Sequence, residues 1–507
     1  MRTACYLVLV FCCLSCSTTR NLSGDDQEIE VNFLLINDVY EIAPLAGGKE
    51  GGVARVASLK KQYLQKNRNT FLVLAGDFLS PSVYNSLQYN GKAIRGKQMI
   101  ESLNAAGLDL ATFGNHEFDI RESELLERIN ESKFGWTSAN TFHRSNDSIL
   151  PFKKNGVSIP STTVLNVTDD DGTHAKIGMF SVTLPFNKAD YVTYTDAITT
   201  AKEVYNQLKD SVDAVVALTH QAIEKDKELA GQIPGIAIIL GGHEHDMRFE
   251  KVGDVVVAKA HANAKSVYAV KININKKKKK VKADPKLVYI DETLPLDSAT
   301  NAVVEKWTNI AEKNYNSLGF DAKKILLTNG VPLDGREAVI RSQQTELTKL
   351  IVKGIQFAAP QADVALMNSG SIRVDDVLQM PVTEYDILRT LPFGGSIREA
   401  EMKGSLLIKT LDQGEKNRGN GGFLQYNENL VHKDGIWNLN GQPLEKDKVY
   451  RVAISEFLFT GKEANLDFLN PGNPAIIKVY EQAKSQDDAR FDIRLGVIRY
   501  LESVLKP

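Results

Sequence analysis

The sequence predicts an α/β protein of two domains. Apolar strand-like runs alternate with amphipathic helical runs through the first part of the chain, the signature of an α/β layer architecture. At 507 residues the chain exceeds the roughly 250–300 residues at which a single core stops growing. Beyond a long helical stretch ending near Leu318 the texture changes, and Gly- and Asn-rich turns such as "RGNGG" appear.

The elements follow in order. Ile29 to Ile36 reads as a strand, and Val53 to Gln65 as a helix with apolar residues at Val53, Val56, Leu59 and Tyr63. "TFLVLAGD" is a buried strand with a polar end. "KQMIESLNAAG" is a helix stopping at Gly107. "LDLATFGNHEFD" is another strand with a polar end, "ESELLERIN" a helix, and "DAVVALTH" and "GIAIILGGHEH" are further strands. From Ala299 to Leu318, apolar residues at Val303, Trp307, Ile310, Ala311, Tyr315 and Leu318 describe a helix joining the domains. The expected organisation is a leader over 1–16, a tether over 17–28, a first domain over 29–296, a linker helix over 297–320 and a second domain over 321–507.

Composition is that of a globular protein, 43% hydrophobic and 24% charged. With 61 basic and 63 acidic residues the net charge is −2, so no electrostatic footprint for a nucleic-acid polymer exists. The basic run Lys276–Lys280 reads as a solvated hairpin tip between "VYAVKINI" and "KLVYID". Nothing in the sequence sets an oligomeric state.

All four cysteines, Cys5, Cys12, Cys13 and Cys16, fall in the first sixteen residues. Arg2, the apolar run Ala4 to Leu14 and then Ser15-Cys16-Ser17 have the order of an export leader. "LSC" resembles a bacterial lipoprotein processing site with Cys16 as the lipidated residue; an ordinary cleaved secretory leader is the alternative. The expectation is an exported protein, lipid-anchored in the bacterial envelope, in the periplasm or at the outer membrane or cell surface. No other segment approaches about 18 uninterrupted apolar residues, so attachment to a membrane is expected through the N-terminal lipid alone.

Five predicted strands end in metal-capable side chains: Asp38; Gly76-Asp77; Gly114-Asn115-His116-Glu117; His220; and Gly242-His243-Glu244-His245. Ligand sites of α/β sheets lie just past the carboxyl ends of the strands. Four of the chain's eight histidines sit at these ends, which ordinary turn chemistry does not explain. Carboxylate, imidazole and amide oxygen without thiolate suit Zn, Mn, Co, Fe or Mg. A carboxylate can bridge two such cations about 3.5–4 Å apart. The glycines before Asp77, Asn115 and His243 are expected to let the backbone turn sharply.

"GNHEFD", the preceding "GD", the later "TH" and "GGHEH" resemble the calcineurin-like metallophosphoesterases. "MNSGSIR" (367–373), "LPFGGS" (391–396), "GGFLQ" (421–425) and "SEFLFTGKE" (455–463) resemble the C-terminal domain of the 5′-nucleotidase family. The resemblance covers nearly everything after Ile29. It implies a four-layer α/β/β/α sandwich, a linker helix and a C-terminal α+β substrate-binding domain, with domains that rotate to bring metals and base pocket together. The implied activity is metal-dependent hydrolysis of nucleotide phosphate esters, foremost a nucleoside 5′-monophosphate to nucleoside and phosphate. UDP-sugars, nucleoside di- and triphosphates and 2′,3′-cyclic nucleotides are related substrates on the same scaffold. A nucleotide-binding or adhesion lipoprotein with an impaired metal site is the alternative of another class.

Carried over residue by residue, the resemblance makes Asp77 the carboxylate bridging two divalent cations. Asn115, His220 and His243 complete one site. Asp38, the position of Tyr40, and His245 complete the other. His116 and Asp119 resemble the His-Asp pair beside the metals; for Asp119 the alternative is an N-cap for the helix starting near Glu122. Arg341, Asn368 and Arg373 resemble the residues that hold phosphate and ribose. Phe393 and Phe457 resemble the rings that sandwich the base, with packing in the core as the alternative for each. Gly421 and Gly422 would let the backbone approach substrate. The departures are local. Tyr40 stands where the family usually has histidine. The family's "GGD" reads Gly461-Lys462-Glu463, keeping a carboxylate one methylene longer that could reach ribose hydroxyls.

Overall fold

The computed structural model describes residues 25–145, 148–185 and 189–505. The leader and most of the tether lie outside the described residues. Among the described residues no helix is long and apolar enough to cross a membrane.

Two six-stranded sheets form the heart of the N-terminal domain. In the first, the strands run in the order Lys280–Tyr289, Ser266–Asn275, Glu28–Ile36, Thr70–Ala75, Leu110–Thr112, Gly135–Trp136. In the second the order is Thr162–Thr168, His174–Thr183, Ala214–His220, Ile238–Gly242, Val255–Lys259, Arg248–Val252. The period-2 alternation of a strand explains the layering. Phe33 and Leu35 point into a core shared with Val216, Leu218, Ile238 and Leu240 of the other sheet. Leu34 and Ile36 point the opposite way, into a core with Val56 and Leu59 of helix Val53–Leu64 and Met99 and Leu103 of helix Lys97–Ala106. Helices Ala197–Leu208 and Ile223–Gln232 cover the outer face of the second sheet through Val204, Leu208 and Leu229. The result is the α/β/β/α sandwich.

Local signals behave as the sequence suggests. Helix Lys97–Ala106 ends on Gly107 in the left-handed conformation, φ 71°. Strands Ser266–Asn275 and Lys280–Tyr289 pair antiparallel, so the lysine run is a hairpin tip. Helix Ser298–Ser317 is N-capped by Asp297, whose carboxylate accepts from Thr300 N at 3.0 Å. It buries Val304, Trp307, Ala311 and Tyr315 against the two helices of the first sheet, and Trp307 Nε1 donates to Glu101 Oε2 at 2.9 Å. Leu318, expected on its apolar face, is exposed because the helix has already ended.

The C-terminal domain is built on a mixed five-stranded sheet ordered Leu424–Tyr426, Val364–Asn368, Val449–Ser455, Ile397–Lys403, Ile476–Val479. Helices Glu346–Ala358 and Ile493–Leu505 pack on one face through Ile351, Ile355, Val497 and Ile498. Helix Gly404–Lys416 covers the other through Leu407 and Leu411. Among the described residues, His245 pairs across the domains with Asp375 at 2.7 Å and Lys265 with Asp376 at 2.5 Å, and Tyr385 donates to Glu41.

Candidate metal centre and the cleft facing it

The polar strand ends converge across the seam between the two sheets. The first sheet delivers Asp38, Asp77 and Asn115 from the ends of three parallel neighbours. The second delivers His220 and, just beyond its neighbouring strand, His243. Asp38, Asp77, Asn115 and His220 are buried. Ligand atoms of Asp38, Asp77 and His220 lie within 4.8 Å of one another.

Four of these positions hold the left-handed backbone that non-glycine residues rarely adopt: Asp38 (φ 52°), Asp77 (φ 56°), His243 (φ 98°) and His245 (φ 61°). Such positions each cost about 1–3 kcal/mol and persist only where surroundings over-determine them. Here they do. Asp38 Oδ2 accepts from Asn37 Nδ2 at 2.8 Å and from His243 N at 2.9 Å, and Asp77 Oδ1 accepts from His116 N at 2.7 Å. His220 Nδ1 bonds Ala75 O at 2.7 Å, which turns Nε2 toward Asp77 Oδ2, 3.0 Å away.

The glycines serve close approach more than turning. A Cβ on Gly114 would lie 2.1 Å from Asp77 Oδ1, and one on Gly242 would lie 2.5 Å from Ala75 O. Only Gly76, at φ 76°, also needs the backbone freedom. Beneath them the buried carboxylate of Glu117 accepts from four backbone amides: Asp77 N at 2.8 Å, Phe78 N at 2.7 Å, Leu79 N at 3.1 Å and Gly114 N at 2.6 Å. Burial and the Asp77 charge nevertheless push its carboxyl up to about 7. Glu117 thus ties the Asp77 loop to the Asn115 loop.

The fit to cations is visible in the donor set. Asn115 Oδ1 is buried and makes no hydrogen bond among the described residues, while buried Asp38 Oδ1 and His220 Nε2 meet only another candidate ligand, His245 Nε2 at 3.4 Å and Asp77 Oδ2 at 3.0 Å. Unsatisfied buried polar atoms are rare and point to a missing ligand or ion. The charges agree. Burial disfavours ionised Asp38, yet His220 and His245 hold its carboxyl well below the usual range. Burial also lowers His220, but Asp77 and Asp38 outweigh it and raise the imidazole to about 9. A proton on His220 there balances carboxylates that a cation would otherwise balance. His243 goes the other way, pushed down to about 4 by burial and by His220.

Tyr40 reaches the same site. Its buried hydroxyl lies 3.0 Å from His245 Nε2 and 3.4 Å from Asp77 Oδ2. Burial and then the charges of Asp77 and Asp38 raise the phenol well above its ordinary value, so it is present as a neutral hydroxyl. His116 stands beside the centre, its Nδ1 2.6 Å from Asp119 Oδ2. Burial lowers His116, but Asp77 and Asp119 together raise it. Asp119 does not cap the next helix: Glu122–Glu131 takes Arg121 as its N-cap, and Asp119 accepts from Ser80 Oγ at 3.3 Å as well.

On the facing domain, Arg341 Nη1 lies 2.7 Å and Arg373 Nη1 3.7 Å from the carboxylate of Glu337. Arg373 lines a narrow cleft with Tyr40, Ser82 and Asn263, and its charge is felt at His116. Asn368 Nδ2 donates to Glu463 Oε2 at 2.6 Å, so the longer acid reaches this group. Phe393 is 70% exposed and Phe457 45% exposed, and neither is packed in the core. Both line a pocket of about 420 Å³ with Met367, Gly370, Ser371 and Ser455. Within the chain, a Cβ on Gly421 would lie 3.2 Å from the backbone of Gly370, and one on Gly422 would lie 2.4 Å from the side chain of Asn417.

Three contributors escape sequence reasoning. Asp375 holds His245 from the opposite domain. Glu337 pairs with Arg341, a contact its i, i+4 spacing could have signalled. Buried Lys259 bonds Asp226 at 2.8 Å, Glu244 at 2.6 Å and Gln221 O at 2.6 Å, fastening the two histidine-bearing loops together; nothing local in the sequence marks it.

Fold and site together define a calcineurin-like metallophosphoesterase, a phosphoric ester hydrolase that uses divalent metal ions. The chain matches the calcineurin-like phosphoesterase family over residues 31–247 and the 5′-nucleotidase, C-terminal domain family over residues 325–469. With both parts in this order, it belongs to the 5′-nucleotidase family of nucleotide phosphoesterases. It is 26% identical over 460 residues to the trifunctional nucleotide phosphoesterase protein YfkN of Bacillus subtilis (strain 168), covering 80% of this chain. The chain spans only 30% of that relative's length. It is 25% identical over 465 residues to the 5′-nucleotidase of Bos taurus, covering 81% of this chain and 78% of that protein. The 5′-nucleotidase precursor from Thermus thermophilus shares the fold, with a TM-score of 0.68 at 22% identity over 94% of this chain and 97% of that one.

Proposed function

We propose that the chain is an exported hydrolase that cleaves a nucleoside 5′-monophosphate to nucleoside and phosphate. The observation that carries this reading is the buried cluster of Asp38, Asp77 and His220, with the unbonded Asn115 Oδ1, next to Tyr40, which lines a cleft with Arg373 of the other domain. Asp77 would bridge two divalent cations, of the Zn, Mn, Co, Fe or Mg kind. Asn115, His220 and His243 would hold one, and Asp38 and His245 the other, with Tyr40 against it as a neutral hydroxyl. Such cations supply Lewis acidity, stabilising charge on phosphoryl oxygens and making water more acidic.

The chain's own residues do the rest. Arg341 and Arg373 would take the phosphate, since the planar guanidinium bonds phosphoryl oxygens in pairs and stays charged. Asn368 and Glu463 would meet the ribose. Phe393 and Phe457 would stack on the base, a contact that tolerates any base because each has a π-face. Water adds to phosphorus as the bond to the ribose 5′ oxygen breaks. With Nδ1 engaged by Asp119, His116 presents Nε2 to that leaving oxygen and gives it a proton.

Domain boundaries near residues 296 and 320, and lipid attachment through Cys16, complete the proposal. The test of substrate class is phosphate release by metal-loaded protein from AMP, UDP-glucose, ATP and 2′,3′-cyclic AMP. The highest kcat/KM is expected on AMP. A clear preference for another member of the panel moves the substrate assignment while leaving the reaction type in place.

A further inference from the structure

Segment Ser371–Asp376 leaves the C-terminal domain and reaches across the cleft. Arg373 lines the cleft, Asp376 bonds Lys265, and Asp375 meets His245. Asp375 is itself in the left-handed region at φ 38°, a costly conformation for aspartate, and its second oxygen accepts from Glu337 N. The carboxylate therefore has one oxygen anchored to its own domain. The other lies 2.7 Å from His245 Nδ1 on the partner domain. With Nδ1–H donated to Asp375, the ring turns its Nε2 into the centre, 3.4 Å from Asp38 Oδ1 and 3.0 Å from the Tyr40 hydroxyl, where a bound cation would take the place of the Nε2 proton. A carboxylate on the far nitrogen fixes the tautomer and orientation of a metal-binding imidazole and raises its basicity.

We propose that Asp375 is a positioning residue for His245, so that filling of the cation site formed with Asp38 and docking of the C-terminal domain are coupled. This rests on the reading of His245 as a cation ligand. The coupling is reciprocal: whatever factor docking adds to cation affinity, the cation adds to docking. The Tyr40 substitution strengthens the case. A site that has a phenol where an imidazole is usual depends more heavily on its remaining nitrogen donor.

The test is calorimetric titration of Mn²⁺ into the cation-free full chain, its Asp375→Asn and His245→Ala variants, and the double variant. Asp375→Asn is isosteric, and Asp375→Ser gives a second removal of the carboxylate if the amide perturbs folding. Loss of an outer carboxylate is expected to weaken one of the two sites by about 10–100-fold and leave the other unchanged. His245→Ala should weaken the same site, and the double variant should match His245→Ala alone. Asp375→Glu should restore part of the affinity. Spin labels on the two domains should report a Mn²⁺-driven shift toward the docked arrangement in the native chain and a smaller one in Asp375→Asn. Native affinities at both sites in Asp375→Asn, or its full effect persisting without His245, would overturn the proposal. If His245→Ala itself leaves both affinities unchanged, the reading of His245 as a ligand fails, and the inference with it.

Discussion

His116 Nδ1 lies 2.6 Å from Asp119 Oδ2, at the edge of a centre in which Asp38, Asp77, Asn115 and His220 are buried. In the proposed reaction the pair acts on substrate: His116 follows Asn115 directly, and it feels the charge of Arg373 from the other domain. Replacing His116 with alanine is expected to lower kcat by about 10²–10⁴-fold, the range for a lost general acid, with KM little changed. Asp119→Asn should cost less, since the imidazole remains and only its orientation is lost. Steady-state kinetics on AMP separate the two, and an unaltered kcat in His116→Ala would remove it from the chemistry.

Cations should stabilise the fold. Asp38 and Asp77 are buried carboxylates whose balance in the ion-free chain rests on the neighbouring histidines. A ligand at about 100 times its Kd adds about 2.7 kcal/mol. Thermal melts with Mn²⁺ and with chelator should differ accordingly, and the difference should shrink in Asn115→Ala. Identical melts would argue against a built cation site.

The paving glycines give a graded steric test. Gly114→Ala drives a Cβ into the Asp77 carboxylate and is expected to cost about 1–3 kcal/mol and to weaken cation binding. Gly231→Ala, in helix Ile223–Gln232 with only Val252 Cγ1 at 3.7 Å, should instead stabilise by about 0.5–1 kcal/mol. Denaturant titrations of the two variants read both signs.

Tyr40 offers a gain of function. Tyr40→His puts a nitrogen donor where a neutral phenol now stands 3.0 Å from His245 and 3.4 Å from Asp77. Tighter binding of one cation is expected, measured by calorimetry. With its hydroxyl placed 3.0 Å from His245, Tyr40 is expected to give no tyrosinate-to-iron absorption band in the visible spectrum of the iron-loaded protein. Such a band would make Tyr40 a direct ligand.

The exposed rings predict a KM effect without a kcat effect. Phe393→Ala and Phe457→Ala should each cost about 1–3 kcal/mol of base stacking, raising KM for AMP roughly 5–150-fold. An equal fall in kcat would place the rings in the transition state instead.

Much of the centre is legible in the sequence because its residues sit at strand ends, where topology forces convergence. Asp38, Asp77, Asn115, His220 and His243 each follow an apolar run that can only be a buried strand. What the runs do not reveal is that two stacked sheets supply them. Phe33 and Leu35 facing a second sheet look the same in sequence as Leu34 and Ile36 facing helices. Gly114 and Gly242 serve close approach and not the expected turn, and close approach leaves no mark in sequence distinct from turning. Asp375 is invisible for a different reason. Its role exists only once two domains meet, and no periodicity within "SIRVDD" encodes a partner as distant in the chain as His245. Glu117 and Lys259 are likewise recognisable only from the backbone and side-chain groups that close around them.

The most direct test of the central claim is paired measurement of bound cation and released phosphate on one purified sample. Two divalent cations per chain and one phosphate per AMP consumed are expected, with phosphate release abolished by chelation and restored by added cation. A chain that carries its cations and binds AMP, yet releases no phosphate, would contradict it and leave a nucleotide-binding protein in place of an enzyme.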